Sequence, residues 1–490
     1  MPLMTLPIAG GFYQSESLPI SAQRCIGWFP VIPQTANALS KAVLFNTPGQ
    51  KAFSSLGGIN RGQHVVGGID FAVNGNTLFQ VNEDKTKVSI GFIEGSGIVS
   101  MAHNSTEAIN GDKLVIVVPG GKSYVYNGVD LVEITDTDFR TSDTVSFKDG
   151  FFVFTASDGK VFFNSALNDP LNYRALDFGT AEISPDLIVA SIVIHNELFI
   201  VGVETIELFQ NIGGSGFPFQ RIPGANIQKG AHAKFGIVAL DETFAFVGGG
   251  KEELSTIYQV ADSNSAVKIA TGAIDNELQK FTKDEISNCV AMTYFERGSQ
   301  IAIFTFTSNR IPSRTFAYNA TTSKLSGIPI WFEFQTGVTV DNRWNVNSIV
   351  VAYGKILAGT TEGEIAELDK NTYTDLGEPI LREFTSAPLS NQDEPLFIPK
   401  IKLWMEAGVG LTTGDGSDPS VSMDSSVDGK TYGNDRLRKI GKIGKFGQQT
   451  VWKRNGRTAA FKFWRFRVTQ PIKPVIRKLQ AVAQASGPSD

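Results

Sequence analysis

The chain has 490 residues, with 49 glycines, 35 phenylalanines, only 19% charged residues and a formal net charge of -5. That length exceeds one ordinary hydrophobic core, and a Gly- and Phe-rich, charge-poor composition points to β structure with many tight turns. Two cysteines (Cys25, Cys289) and four scattered histidines (His64, His103, His195, His232) exclude a disulfide framework and argue against a zinc site.

The first basic residue is Arg24, so the N-terminus lacks the charged region of a secretory signal. The first 55 residues are rich in Pro and turn residues. They read as a segment that packs on the C-terminal part of the chain. From about residue 60 to 375 one unit recurs: a short apolar strand, a Gly/Asn/Asp turn, a second apolar strand. It is seen in DFAVNGNTLFQV (70–81), DKLVIVVPGGKSYVYNG (112–128), GFFVFTASDGKVFFN (150–164) and NELFIVGVETIELFQN (196–211). It returns in 242–260, 299–321 and 354–369. Asn-Gly and Asp-Gly turns supply the positive φ angles that two-residue hairpins need. Hairpins at this period predict a β-propeller of six or seven blades over 56–378. The longest apolar run, LIVASIVI (187–194), is too short for a membrane span. No membrane insertion is expected.

Two helical interruptions are predicted. Ser184 is an N-cap candidate with Pro185 at the first helical position. Thr282-x-x-Glu285 is a capping box within 274–290, a stretch that fits two short helices. Beyond 379 the alternation in PKIKLWMEAGVG and PSVSMDSSVDGKTYG predicts longer strands of a sandwich. A hairpin turn is expected at Asp428-Gly429. The fold class is therefore all-β: a propeller with a sandwich-like platform built from 1–55 and 379–490.

Motifs for chemistry weigh against an enzyme. Gly120-Gly121-Lys122-Ser123 lacks the upstream glycine and the following helix of a phosphate loop, and reads as a hairpin turn. The stretch SSVDGKTYG looks like a single Asp-box turn, a structural device. No spacing singles out the facing carboxylates a glycosidase needs. His103 reads as a hydrogen-bonded structural histidine. No catalytic, metal or cofactor residues are expected. A glycan-binding or glycan-hydrolysing propeller is the alternative, and a single-strand nucleic-acid binder a third.

Charge is unevenly distributed. Residues 430–478 hold 15 Lys/Arg and one acid, a net +14, which leaves -19 for the rest. Such opposition marks a partner or self-assembly surface. Its centre, KIGKIGKFGQQTVWKRNGRTAAFKFWRFRV (439–468), interleaves cations with aromatics. That is the look of a nucleic-acid groove, and equally of a two-faced strand with aromatics inward. Trp464, Phe466 and Val468 share one face, and Arg465 and Arg467 the other. Phe461 and Phe463 have opposite parity, so a β-bulge near 463–464 would bring all five apolar side chains together. The candidate assembly or DNA-phosphate interface comprises Arg436, Arg438, Lys439, Lys442, Lys445, Lys453, Arg454, Arg457, Lys462, Arg465 and Arg467.

Several stretches, in order, resemble one family. They are LPIAGGFYQSESLPISAQRCIGWFPV (6–31), LFNTPGQKAF (44–53), GSGIVSMAHN (95–104), ETIELFQNIG (204–213), NIQKGAHAKFG (226–236), VDGKTYG (427–433) and VWKRNGRTAAFKFWRFRV (451–468). The chain resembles the packaged-DNA stabilisation proteins, or tail nozzles (hubs), of short-tailed bacteriophages. The resemblance implies a homohexameric virion ring below the portal and adaptor, assembled in the bacterial cytoplasm. It implies that the ring conducts and retains double-stranded DNA without sequence specificity. It also implies that the ring carries needle, plug, tailspike or fibre proteins.

Overall fold

The computed structural model describes residues 3–35, 37–104, 113–181, 186–214, 216–392 and 394–485. Ser184 and Pro185 lie outside the described residues. Seven antiparallel sheets follow one another as propeller blades. Blades 1 to 6 occupy 60–92, 100–133, 142–179, 188–227, 230–268 and 290–334. Each of the seven predicted hairpins is the central strand pair of one blade, so the hairpin period was the blade period.

Central strands are apolar on both faces because each blade is sandwiched between two others. In Glu197–Gly202 of blade 4, Leu198 and Ile200 pack against Val153 and Phe162 of blade 3. Phe199 and Val201 pack against Phe244 and Phe246 of blade 5. Alternating side chains of a strand point to opposite faces, so LFIV serves two interfaces at once.

The turn from the innermost strand into the second strand is the most regular feature. Two-residue loops with both φ angles positive recur as Gly67-Gly68, Asp149-Gly150, His195-Asn196, Arg297-Gly298 and Tyr353-Gly354. This is the type I′ geometry, whose twist matches the flanking strands. His-Asn, Arg-Gly and Tyr-Gly are weak turn signals, and this second periodicity escapes a reading of the sequence.

Blade 7 is built from both ends of the propeller. Val346–Ala352, Lys355–Thr360 and Glu364–Asp369 are completed by Gly49–Ser55, which pairs antiparallel from Glu364↔Ser55 to Asp369↔Gly49. Gly49–Ser55 fell within the expected N-terminal platform segment; it lies in the ring instead. Across the seam, Ser348 Oγ lies 2.7 Å from Asn60 Oδ1 and 2.7 Å from Gln63 Oε1 of blade 1.

The remaining N-terminal strands join the C-terminal region in a sandwich. One sheet runs in the order Thr450–Lys453, Leu396–Met405, Ile476–Ala485, Val43–Asn46, Trp28–Val31, with Leu3–Leu6 also on Ile476–Ala485. The other continues blade 6 itself. Trp331–Phe334 bridges in parallel to Cys25–Ile26 through Glu333↔Ile26. The sheet then passes through Arg382–Thr385, Phe461–Val468 and Ser420–Ser426 to Arg436–Lys439. One hydrophobic cluster holds Ile303 and Phe332 of blade 6 together with Leu403, Trp452, Trp464 and Leu479 of the sandwich. Propeller and sandwich therefore share a sheet and a core.

The helix pair is α1 (Gly272–Leu278) and α2 (Lys283–Ser287), between blades 5 and 6. Thr282 and Glu285 form the capping box, each side chain on the other's backbone N–H. Within blade 6, α3 (Ala320–Ser326) ends on Gly327 at φ +75, a left-handed cap. The expected turn at Asp428-Gly429 is part of a longer loop (427–435), because Met423 pairs with Arg436. The Asp428 carboxylate accepts backbone N–H from Lys430 and Thr431, each at 2.8 Å, and orders the loop.

At the junction of blade 7 and the sandwich, Asp375 is buried beside Arg382. Burial, only partly offset by Arg382, raises the Asp375 carboxyl to about 7. A raised carboxyl pKa in the fold means that stability falls as pH rises from the unfolded value of 3.8 to about 7. Asp375→Asn is expected to flatten that fall, read as the pH dependence of the unfolding midpoint. An unchanged profile would show that Asp375 titrates normally.

Candidate assembly surface of the sandwich domain

The strand Phe461–Val468 answers whether its aromatics are exposed. Trp464 and Phe466 are fully buried, and Val468 nearly so. Phe466 packs 5.6 Å from the Trp452 ring and 6.4 Å from the Phe384 ring. The predicted bulge at 463–464 is not there. Pairing with Ser420–Ser426 runs unbroken from Ser422↔Arg467 to Ser426↔Phe463. The irregularity lies in the neighbouring chain, where register passes from Thr385↔Arg465 to Leu389↔Lys462. Phe461 and Phe463 thus stay on the arginine face, and Phe463 is buried there as well. Both faces of the strand are covered, which rules out an aromatic stacking platform at Trp464.

The arginine face is neutralised within the chain. Arg465 reaches both carboxylate oxygens of Asp424, at 2.6 and 3.2 Å, and lies 3.8 Å over the Tyr432 ring. Burial would lower its pKa, but Asp424 and Glu383 outweigh that and raise it. Arg467 spans Asp424 at 3.2 Å and Asp435 at 2.7 Å. These two arginines, expected at the interface, hold the Ser420–Ser426 strand and its loop.

Arg436 and Arg438 also act inside the fold. They sit on the edge strand of one sheet and donate to the edge of the other: Arg436 Nη2 to Lys453 O at 2.5 Å, Arg438 Nε to Val451 O at 2.9 Å. Trp452 Nε1 returns a hydrogen bond to Arg436 O at 2.6 Å. Open sheet edges invite unwanted pairing, and here guanidinium groups close the rim. Lys462 Nζ donates to Asn455 O at 3.0 Å; burial, with Arg436 nearby, lowers its pKa.

The other predicted residues face water. Lys439 pairs with Asp418 at 3.0 Å. Lys442, Lys445, Lys453, Arg454 and Arg457 are exposed. Lys442 and Lys445 belong to a loop pinned at Ile440, which is buried and donates its N–H to Pro419 O at 2.8 Å. Gly441 and Gly444 turn the loop with φ +120 and +80. Ile443 and Phe446 are then left on the outside, 58% and 77% exposed.

Two cations were missed. Strand register places Lys400 directly opposite Lys453 and Lys402 opposite Val451. Lys402 lies 3.5 Å over the Trp404 ring, and desolvation with Lys400 nearby lowers its pKa. The signal was present in PKIKLWM, where Lys400, Lys402 and Trp404 share a parity. Some fifty residues of sequence separate these lysines from Lys453. Like charges directly opposite destabilise a sheet, so the Lys400–Lys453 pair is an unfavourable feature of this edge within the chain itself.

Elsewhere, His64 Nε2 and His103 Nδ1 meet at 2.7 Å across the innermost strands of blades 1 and 2. Burial first, then His103, lowers the His64 pKa to about 4. The contact stitches the two blades together, in line with the structural role expected for His103. Among the described residues no group of three or more His, Cys, Asp or Glu is placed to hold a metal ion. No helix among them is long and apolar enough to cross a membrane.

A propeller joined through a shared sheet and core to a sandwich, with lysines exposed along the rim, defines the class: an all-β protein of two fused parts. The chain matches the family described as bacteriophage P22 Gp10, β-propeller, over residues 4–373, and the companion family, bacteriophage P22 Gp10, β-sandwich, over 382–484. It belongs to the bacteriophage P22 Gp10 family. A relative, the tail hub protein gp10 of Salmonella phage P22, is 21% identical over 443 residues, covering 85% of this chain and 86% of that protein. Among solved structures, the computationally designed Ika8 protein covers 65% of this chain and 99% of its own at 13% identity, with a TM-score of 0.34. An exo-β-1,3-galactanase from Phanerochaete chrysosporium covers 79% and 97% at 9% identity, with a TM-score of 0.29. Likenesses this remote carry no functional weight.

Proposed function

We propose that this protein is a structural subunit of a short phage tail, a nozzle or hub ring in the virion. The observation that carries the reading is the family match over both domains, together with a tail hub relative spanning most of the chain. In this reading six copies form a ring below the portal and adaptor, assembled in the host cytoplasm. The ring extends the DNA channel, retains the packaged genome and anchors needle, plug, tailspike or fibre proteins.

Physical features support it. A shared sheet and core make each subunit a stiff wall. A ring of heterologous contacts needs two different complementary surfaces per subunit, and the exposed Lys442, Lys445 and Lys453 offer a basic one. DNA must slide through, so base-specific contacts would impede it. Many cations on phosphate would bind strongly and in a salt-dependent way. The exposed lysines around Lys442, Lys445 and Lys453 are accordingly assigned first to protein partners and only second to DNA phosphate.

Cryo-electron microscopy of purified tails, or light scattering of the protein with its adaptor, tests this directly. Rings are expected. A protein that stays monomeric with its adaptor present would overturn the reading. The triple variant Lys442→Glu, Lys445→Glu, Lys453→Glu should remain folded and lose most ring assembly; unchanged assembly would remove these lysines from the interface.

A further inference from the structure

One cavity in the fold is unrelated to the basic rim. It is a groove of about 730 Å3 between blades 4 and 5, covered on one side by the α1–α2 pair. Leu278, Phe281 and Ile286 from the helical insert form its apolar floor, and Leu254 stands 68% exposed at its lip. Four carboxylates, Glu204, Glu252, Glu253 and Asp284, surround it against a single lysine, Lys283. Glu253 is already paired with Lys229. Among the described residues Glu204, Glu252 and Asp284 take part in no ion pair. Its size falls within the range of about 300–1,000 Å3 typical of binding pockets. No residue of the sandwich lines it.

The chain also carries a shape and charge that match this groove. The 440–448 loop holds Ile443 and Phe446 out into water, three residues apart, with Lys442 and Lys445 beside them. A large aromatic and a branched aliphatic side chain at the tip of a rigid, glycine-turned loop form an anchor of the type that dominates interfaces. Flanking ammonium groups would meet the acidic rim, which steers and orients docking.

We propose that the 440–448 loop of one copy docks into the blade 4–5 groove of the next, with Phe446 on the apolar floor and Lys442 and Lys445 on the acidic rim. This rests on the ring reading and specifies its contact: sandwich to propeller, head to tail, the same two surfaces used once per subunit. Such a heterologous contact closes into a ring when its rotation closes.

Disulfide trapping in the full-length protein tests the contact. Cys25 and Cys289 are both fully buried and do not interfere. The double variant Phe446→Cys with Leu254→Cys, oxidised in assembled rings or tails, is expected to give a ladder of covalent oligomers on a non-reducing gel. A mixture of the two single variants should give a covalent dimer and nothing larger. Glu252→Lys with Asp284→Lys should restore assembly to Lys442→Glu with Lys445→Glu. Rings of normal size that yield no ladder would overturn this contact and leave the ring reading standing. Protein that never assembles, even in tails, would overturn both together.

Discussion

Glu333→Ala is expected to break the junction between propeller and sandwich and cost about 3–5 kcal/mol of stability, the range for leaving buried charges without their partner. Glu333 is the residue through which blade 6 bridges to Cys25–Ile26. Its carboxylate is buried between two arginines. Arg24 donates to it at 2.8 and 3.0 Å, and Arg314 at 2.5 and 3.1 Å. Arg314 also reaches Glu277 at 3.3 Å, and Arg24 reaches Asp341 at 2.6 Å. Burial alone would raise the Glu333 pKa, but Arg24 and then Arg314 outweigh it and hold it at about 2. The sign follows from a lowered carboxyl pKa: the stabilisation is present above the unfolded value of 4.5 and is lost as pH falls towards about 2. In Glu333→Ala both guanidinium groups remain buried, left to Glu277, Asp341 and the more distant Glu383. Because the two domains share this sheet, calorimetry of the wild type should show one transition, and the variant two. A variant within 1 kcal/mol of wild type would mean that water reaches the arginines and that the junction is not a dry core.

What the sequence made legible, and what it hid, divides along the range of the interactions. The seven hairpins were readable because each is local: two apolar strands and a turn within about two dozen residues. The capping box at Thr282 was readable for the same reason. Blade 7 was not, since its last strand, Gly49–Ser55, has the unremarkable sequence GQKAFSS and finds its partner some 300 residues away at Glu364–Asp369. The basic strand was half legible. Parity correctly put Trp464, Phe466 and Val468 on one face and the arginines on the other. It could not reveal that Asp424, Asp435 and Glu383, each acidic and each from another strand or loop, would meet those arginines. A charge in sequence carries no record of its counter-charge in space. The candidate surface therefore shifted from the strand to the loop before it and to Lys400 and Lys402, brought in by register alone.

Trp464→Ala is the second large expected effect, about 3–5 kcal/mol for truncating a buried tryptophan. It separates the two original readings of the basic segment. On a stacking platform the same change would leave the fold intact and weaken nucleic-acid binding by about 1–3 kcal/mol per base. Trp464 instead lies in the cluster that joins Leu403, Trp452 and Leu479, so the loss should appear as unfolding, exposed sandwich core and failed assembly. Trp464→Phe refines the test. The Trp464 Nε1 group is buried without a hydrogen-bond partner, and leaving such a donor unmet costs about 1–3 kcal/mol. Phenylalanine removes that donor while opening a smaller cavity, and the two terms oppose. Trp464→Phe should therefore sit much closer to wild type than Trp464→Ala in denaturant midpoint, and should still form rings. If alanine and phenylalanine were equally damaging, the indole N–H would have to be bonded, to an ordered water for instance. If both were harmless to folding while assembly was lost, the tryptophan would belong to the surface after all, and the loop carrying Ile443 and Phe446 would no longer be the apolar contact that this segment offers.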